Sequence, residues 1–175
     1  MGTAIIIRGA NLLFSENEEN DIKKLCSEKG VDIIFFDDDA IQASWGSFLE
    51  IILNNQFLKA IMEGIAVDLL KEIVFKTISA MKEKKIIKLT ADGKKEEASL
   101  TIKASTKMGN IYLEVPKNVT DEKYQEGIKK IIEAKKLLDV NVNSGIKELY
   151  IVEDSFGNIE IMTLLEYIEY KNRSK

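Results

Sequence analysis

WGSFLEIILNNQFLKAIMEGIAVDLLKEIVFKTISAM, residues 45 to 81, is the stretch on which the fold turns. No proline interrupts it, and apolar side chains recur at helical intervals. They are Trp45, Phe48, Leu49 and Ile52, then Phe57, Leu58, Ile61, Met62, Ile65, Leu69, Leu70, Ile73, Val74, Ile78 and Met81. The spacing predicts a helical region from residue 40 to residue 85. Asn54-Asn55-Gln56 marks a break in it, because asparagine side chains compete for backbone hydrogen bonds, so the expectation is a helix hairpin or one kinked helix.

A surface helix carries an apolar arc a little over 100 degrees wide. Here Phe57, Leu58, Ile61, Met62, Ile65, Val67, Leu69, Leu70, Ile73, Val74 and Phe75 spread around much of the circumference, so something must cover them. Ala60 and Gly64, four residues apart, would let another helix backbone approach closely. A bilayer is disfavoured as the cover, because Glu50, Lys59, Glu63, Asp68, Lys71 and Glu72 interrupt every window long enough to span one. Lying along a membrane surface wants a cationic polar face, and this one is mixed. A central helix wrapped by the chain's own strands competes with a second molecule. Burial at about 25 cal/mol per Å² reaches several kcal/mol over a dimer interface, which favours association. The expected interface is Trp45, Phe48, Leu49, Ile52, Phe57, Leu58, Ile61, Met62, Ile65, Leu69 and Ile73, facing a second copy or another protein.

On the N-terminal side, Ala4 to Arg8 is a short β-branched run closed by Gly9 and reads as a strand. Ser15-Glu16-Asn17-Glu18 matches a capping box, followed by Ile22, Leu25 and Cys26 at helical spacing and a stop at Gly30. Val31 to Phe36 is a second strand, a parallel neighbour of the first through a crossover. On the C-terminal side the period changes to that of a strand. Ile86 to Thr90 and Ala98 to Ala104 flank an Asp92-Gly93 turn, and Asn110 to Val115 ends at Pro116, the only proline. Thr120 caps a helix with Tyr124, Ile128, Ile131, Lys135 and Leu138 on its inner stripe. Lys147 to Glu153 and Asn158 to Met162 flank Asp154-Ser155-Phe156-Gly157 as a second hairpin. Thr163 and Glu166 then form the capping box of a last helix.

The expected class is therefore α+β: an N-terminal β-α-β unit, a long helical hairpin or kinked helix, then a mainly antiparallel sheet with two C-terminal helices. The chain is expected to form one domain over 1–175, with a possible sub-boundary at 82–86, where composition shifts.

Composition narrows the chemistry. At 45% apolar and 31% charged residues a packed core is expected, not a disordered chain. There is no histidine, so the Ser-His-Asp and Cys-His machineries cannot be assembled and the commonest ligand for zinc, copper and non-haem iron is missing. What survives is chemistry run by carboxylates, lysine, tyrosine or a magnesium ion on oxygen ligands. A net charge of −4 and only two arginines, Arg8 and Arg173, work against a phosphate-backbone binder, so no nucleic-acid partner is expected. The lysine clusters at 82–88, 94–95 and 129–136 each lie beside acidic residues and read as solvated surface. Cys26, alone and without an activating imidazole, reads as a packed thiol. One cysteine and no secretory leader point to the cytoplasm, and abundant Ile, Lys and Asn to an AT-rich bacterial or phage coding sequence.

The sharpest chemical candidate is Asp37-Asp38-Asp39, in which Asp37 and Asp39 share a strand face roughly 7 Å apart. With Lys88 as charge partner they would make a magnesium-dependent phosphate- or nucleotide-handling site, although aspartates leading into a helix act more often as caps. Arg8-Gly9-Ala10-Asn11 follows a strand but lacks every phosphate-loop fingerprint. Three functional expectations result. The first leans away from catalysis and needs no cofactor: a protein-interaction or self-assembling accessory protein, such as an inhibitor, immunity or conflict-system component, acting through 45–81. The second is the magnesium enzyme. The third is a small-ligand or nucleotide-binding sink, which leaves no periodic trace.

Overall fold

The computed structural model describes residues 2, 4–37, 49–89 and 92–174. They fall into two compact units, Met1–Thr101 and Ile102–Lys175. The division lies downstream of 82–86, which falls inside the first unit.

The first unit opens with the expected β-α-β arrangement. Strand β1 (Ala4–Arg8) leads through α1 (Ala10–Leu13) and α2 (Glu16–Glu28) to β2 (Asp32–Phe36), and the two strands are parallel with Ala4 opposite Asp32 and Arg8 opposite Phe36. Gly9 makes the turn out of β1 with a left-handed φ of 77°, which a side chain would strain, and its N–H donates to the Phe36 carbonyl at 2.9 Å. Ser15 and Glu18 form the predicted capping box, each side chain accepting from the other's backbone N–H. The Ser15 amide and hydroxyl hold the Glu18 carboxyl below its usual range. Ile22 and Cys26 face inward, and burial, with a smaller contribution from the Glu72 charge, pushes the Cys26 thiol from 9.0 up to about 11.

The stretch after residue 48 departs from the helical expectation. Leu49–Leu53 is a strand, β3, antiparallel to β1, with Ile5 opposite Leu53 and Arg8 opposite Glu50. Leu49, Ile51 and Leu53 are fully buried while Glu50 and Ile52 are half-buried, which is the period of a strand. Two causes decide against helix here. Ile51-Ile52 is β-branched and pairs readily along β1, and Asn54 caps a new helix by accepting from the Phe57 N–H at 2.8 Å. Asn54-Asn55-Gln56 is thus the start of a helix and not a break within one.

Helices α3 (Asn55–Met62) and α4 (Val67–Glu83) follow, so the predicted helix hairpin occupies 55–83. Gly64, at a φ of 77°, sits in the turn between them, and its spacing from Ala60 therefore creates no helix-packing face. Phe57, Leu58, Ile61, Leu70, Ile73 and Val74 are at most 1% exposed. While Met62 and Ile65 are exposed, these members of the apolar circumference are enclosed within the chain's own fold. Thr77, buried among them, is satisfied by donating to the Ile73 carbonyl at 2.7 Å. Strands β4 (Ile87–Leu89) and β5 (Lys95–Glu97) form a separate antiparallel pair around Asp92-Gly93. The predicted turn is present, but β4 pairs with β5 and not with the apolar run after Ala98.

That run is β6 (Leu100–Ser105), within which the division falls, and the sheet continues from it with β7 (Asn110–Glu114), β8 (Glu148–Glu153) and β9 (Ile159–Thr163) in the order β6-β7-β8-β9. β8 and β9 form the expected antiparallel hairpin, with Leu149 opposite Thr163. Its turn is fixed by Asp154, whose Oδ1 accepts from the Phe156 and Asn158 N–H groups at 2.8 and 2.9 Å. β7 and β8, by contrast, are parallel, and the 20-residue helix α5 (Asp121–Val140) lies in the connection between them. α5 buries Tyr124, Ile128, Ile131, Ala134 and Leu138, and Gly127 marks its closest approach to β7, where a Cβ would lie 3.0 Å from Leu113 Cδ2. Helix α6 (Leu164–Arg173) follows β9 directly. Both units combine helices with sheet, the α+β class that the periodicity predicts.

Candidate functional site

The second unit carries the most distinctive surface among the described residues. Leu137 and Asn141 at the end of α5, Ile146 and Leu149 leading into β8, and Ile161 and Met162 on β9 line an open cleft of about 180 Å³, with Thr163 and Glu166 at its rim. Thr163 and Glu166 owe their place to a second capping box, in which the Thr163 N–H donates to Glu166 Oε2 at 2.7 Å and keeps that carboxyl below its usual range. α6 therefore starts as a fixed helix at the cleft edge. Its residues Leu164, Leu165 and Ile168 all face solvent, Leu165 being 75% exposed. Leu137, Val140 and Val142 at the end of α5 are exposed too, Val140 at 82%. Single exposed leucines need no explanation, but six exposed aliphatic residues at the end of α5 and on α6, of which Leu137 lines the cleft, do.

A second feature holds α6 in place. Tyr112 on β7 and Tyr150 on β8 are cross-strand partners in the parallel register, and their rings stack at 5.0 Å and 13°. Tyr167 of α6 stacks on Tyr150 at 4.3 Å and 10°. The column is closed by a lysine at each end, Lys103 Nζ 5.6 Å from the Tyr112 ring and Lys171 Nζ 5.3 Å from that of Tyr167. The hydroxyls of Tyr112 and Tyr150 both donate to Glu148, at 3.3 and 3.1 Å. Tyr167 donates to Glu114 at 2.5 Å, Lys171 pairs with the same carboxylate at 2.8 Å, and Tyr170 donates to the Glu153 carbonyl at 2.8 Å. Burial first, and then the carboxylate acceptors, push the Tyr150 and Tyr167 phenols above the normal tyrosine range. These phenols stay neutral donors at ordinary pH.

The sequence-predicted interface residues are distributed differently. Leu49, Phe57, Leu58, Ile61, Leu69 and Ile73 are buried, and Ile52 is half-buried. Met62 and Ile65 stand open at the α3–α4 turn, Ile65 at 75%. Trp45 and Phe48 lie outside the described residues, as does Asp39. Asp37 is exposed just after β2, and Lys88 belongs to β4. Among the described residues no group of three or more His, Cys, Asp or Glu is placed to hold a metal ion. No described helix is long and apolar enough to cross a membrane. An open groove of about 300 Å³ lies beside the C-terminal end of α2, lined by Lys23, Ser27, Gly30 and Asp32 among others, and brings together no recognisable catalytic set.

Sequence reasoning missed the α6 surface although its signal was present, since Leu164, Leu165 and Ile168 share one helical face. The tyrosine column left no comparable trace. Tyr112 and Tyr150 meet only through the parallel register of β7 and β8.

No family model matches the chain, and neither does any curated protein or solved structure.

Proposed function

We propose that this protein is a non-enzymatic interaction protein that docks through the aliphatic surface of α6 and the end of α5, and that its first partner is a second copy of itself. One observation carries the proposal: a capped helix that starts at the cleft-lining Thr163 leaves three aliphatic side chains, Leu164, Leu165 and Ile168, exposed to solvent. Full burial of such a side chain from full exposure is worth about 1.5–3 kcal/mol; Leu165, 75% exposed, stands to gain most of that and the half-covered Leu164 and Ile168 less, so covering them is a source of association free energy. The proposed surface differs from the 45–81 interface expected from the sequence, of which Leu49, Phe57, Leu58, Ile61, Leu69 and Ile73 are buried, and lies at the end of α5 and on α6. An accessory role as an inhibitor, immunity or conflict-system component fits a protein that acts by covering another surface.

Sedimentation equilibrium and light scattering over a wide concentration range test this. The wild type is expected to gain mass with concentration. The doubly charged variant Leu165→Asp/Ile168→Asp is expected to remain monomeric with an unchanged circular-dichroism spectrum. A wild type that stays monomeric throughout removes self-docking, and a charged variant that associates as well as the wild type removes this surface.

A further inference from the structure

We propose that α6 is a latch that opens independently of the rest of the second unit, and that the Glu114 clasp sets how often it opens. The two terminal elements of that unit's sheet side are built differently. α5 buries six residues, so lifting it would expose core. α6 buries none in its ten residues. It is held by one stacked ring, Tyr167 on Tyr150, and by polar contacts that converge on two residues of the sheet. Tyr167 and Lys171 share the Glu114 carboxylate, and Tyr170 reaches the Glu153 carbonyl.

Local opening is cheap where little apolar area is uncovered, so the clasp and not the core governs this helix. A hydrogen bond to a charged acceptor moves an opening equilibrium by about ten- to hundredfold. The clasp is also indivisible, because removing Glu114 releases Tyr167 and Lys171 together. When α6 lifts, Leu164, Leu165 and Ile168 leave their fixed positions and the Tyr150 ring loses its cover. If the docking proposed above is correct, on which this consequence rests, the closed latch is the binding-competent state and its opening withdraws the surface.

Native-state hydrogen exchange on the full chain, with increasing low denaturant, tests the latch without reference to any partner. The amides of 164–173 are expected to exchange through an opening that is nearly insensitive to denaturant, ahead of those of α5. Glu114→Gln is expected to speed exchange in α6 about tenfold or more while α5, β7 and β8 keep wild-type protection. Tyr167→Phe retains the ring stack and removes only the hydroxyl, so it decides the matter where Glu114→Gln also loosens α5. Its expected effect is again a faster α6 alone. Exchange of α6 only in the same step as α5, or unchanged α6 exchange in Tyr167→Phe, overturns the proposal. Light scattering on the same samples reads docking separately: a monomeric wild type with a normally opening α6 ends the docking proposal and leaves the latch standing.

Discussion

Replacing Phe57 with alanine separates the two accounts of the apolar stretch. Phe57 is fully buried and among the largest enclosed side chains, so its truncation removes a ring's worth of buried surface and leaves a cavity. Phe→Ala changes at such sites cost about 3–5 kcal/mol, a large part of the 5–15 kcal/mol that stabilises a typical domain. With a urea dependence of about 2 kcal/mol per molar, a loss of about 4 kcal/mol lowers the unfolding midpoint by about 2 M. Leu165→Asp is the matched control, since a side chain 75% exposed should change stability by less than about 0.5 kcal/mol. Urea titration followed by circular dichroism gives both midpoints, and light scattering on the folded samples gives both association states. Expected are an unstable Phe57 variant with unaltered association and a stable Leu165 variant with impaired association. A Phe57→Ala protein within about 1 kcal/mol of wild type that has lost its self-association would refute the reasoning, because Phe57 would then be covered by a second molecule.

Three further outcomes follow from the geometry. In a spectrophotometric titration, Tyr150 and Tyr167 should remain protonated beyond the pH at which an exposed tyrosine ionises, and release their protons only as the fold opens; five ordinary phenolic transitions in the native protein would contradict the column. The Cys26 thiol is raised from 9.0 to about 11, so the unfolded chain gives up its proton first and the Cys26 contribution to stability declines between those pH values. Cys26→Ala should flatten that part of the stability profile, and an unchanged slope would exclude the thiol as its source. At Gly127, alanine gains up to about 1 kcal/mol of helix propensity against a 3.0 Å contact with a movable Leu113 methyl, whereas leucine must displace β7; chemical denaturation should find Gly127→Ala near wild type and Gly127→Leu markedly destabilised.

Much of the fold was legible because its signals are local. Ser15 with Glu18 and Thr163 with Glu166 are complete capping boxes within four residues, and both form. Asp154 to Asn158 specifies its own turn through side-chain acceptors. Leu49 to Leu53 misled because five apolar or mixed residues satisfy helical and extended periods equally, and the arbiter, the free side of β1, lies more than 40 positions away. The direction of β8 was illegible for the same reason: parallel and antiparallel pairing need the same alternation, and α5 permits either. Which apolar side chains would be enclosed was illegible because apolar content measures the need for cover without saying what supplies it: Phe57, Leu58, Ile61, Leu70, Ile73 and Val74 are covered inside the chain, while Ile65 and the trio on α6 are exposed.

The parallel pairing of β7 with β8 has a consequence for how the chain comes to life. Asn110 must wait for Glu148, 38 positions later, before the strand on its second side exists. At about 5–20 residues per second on a ribosome, the wait lasts roughly two to eight seconds. During it, Ile111 and Tyr112 have β6 on one side and no strand on the other, and α5 must coil against a half-made sheet. Newborn chains should therefore be most vulnerable to protease or chaperone capture in this interval, well before α6 has left the exit tunnel.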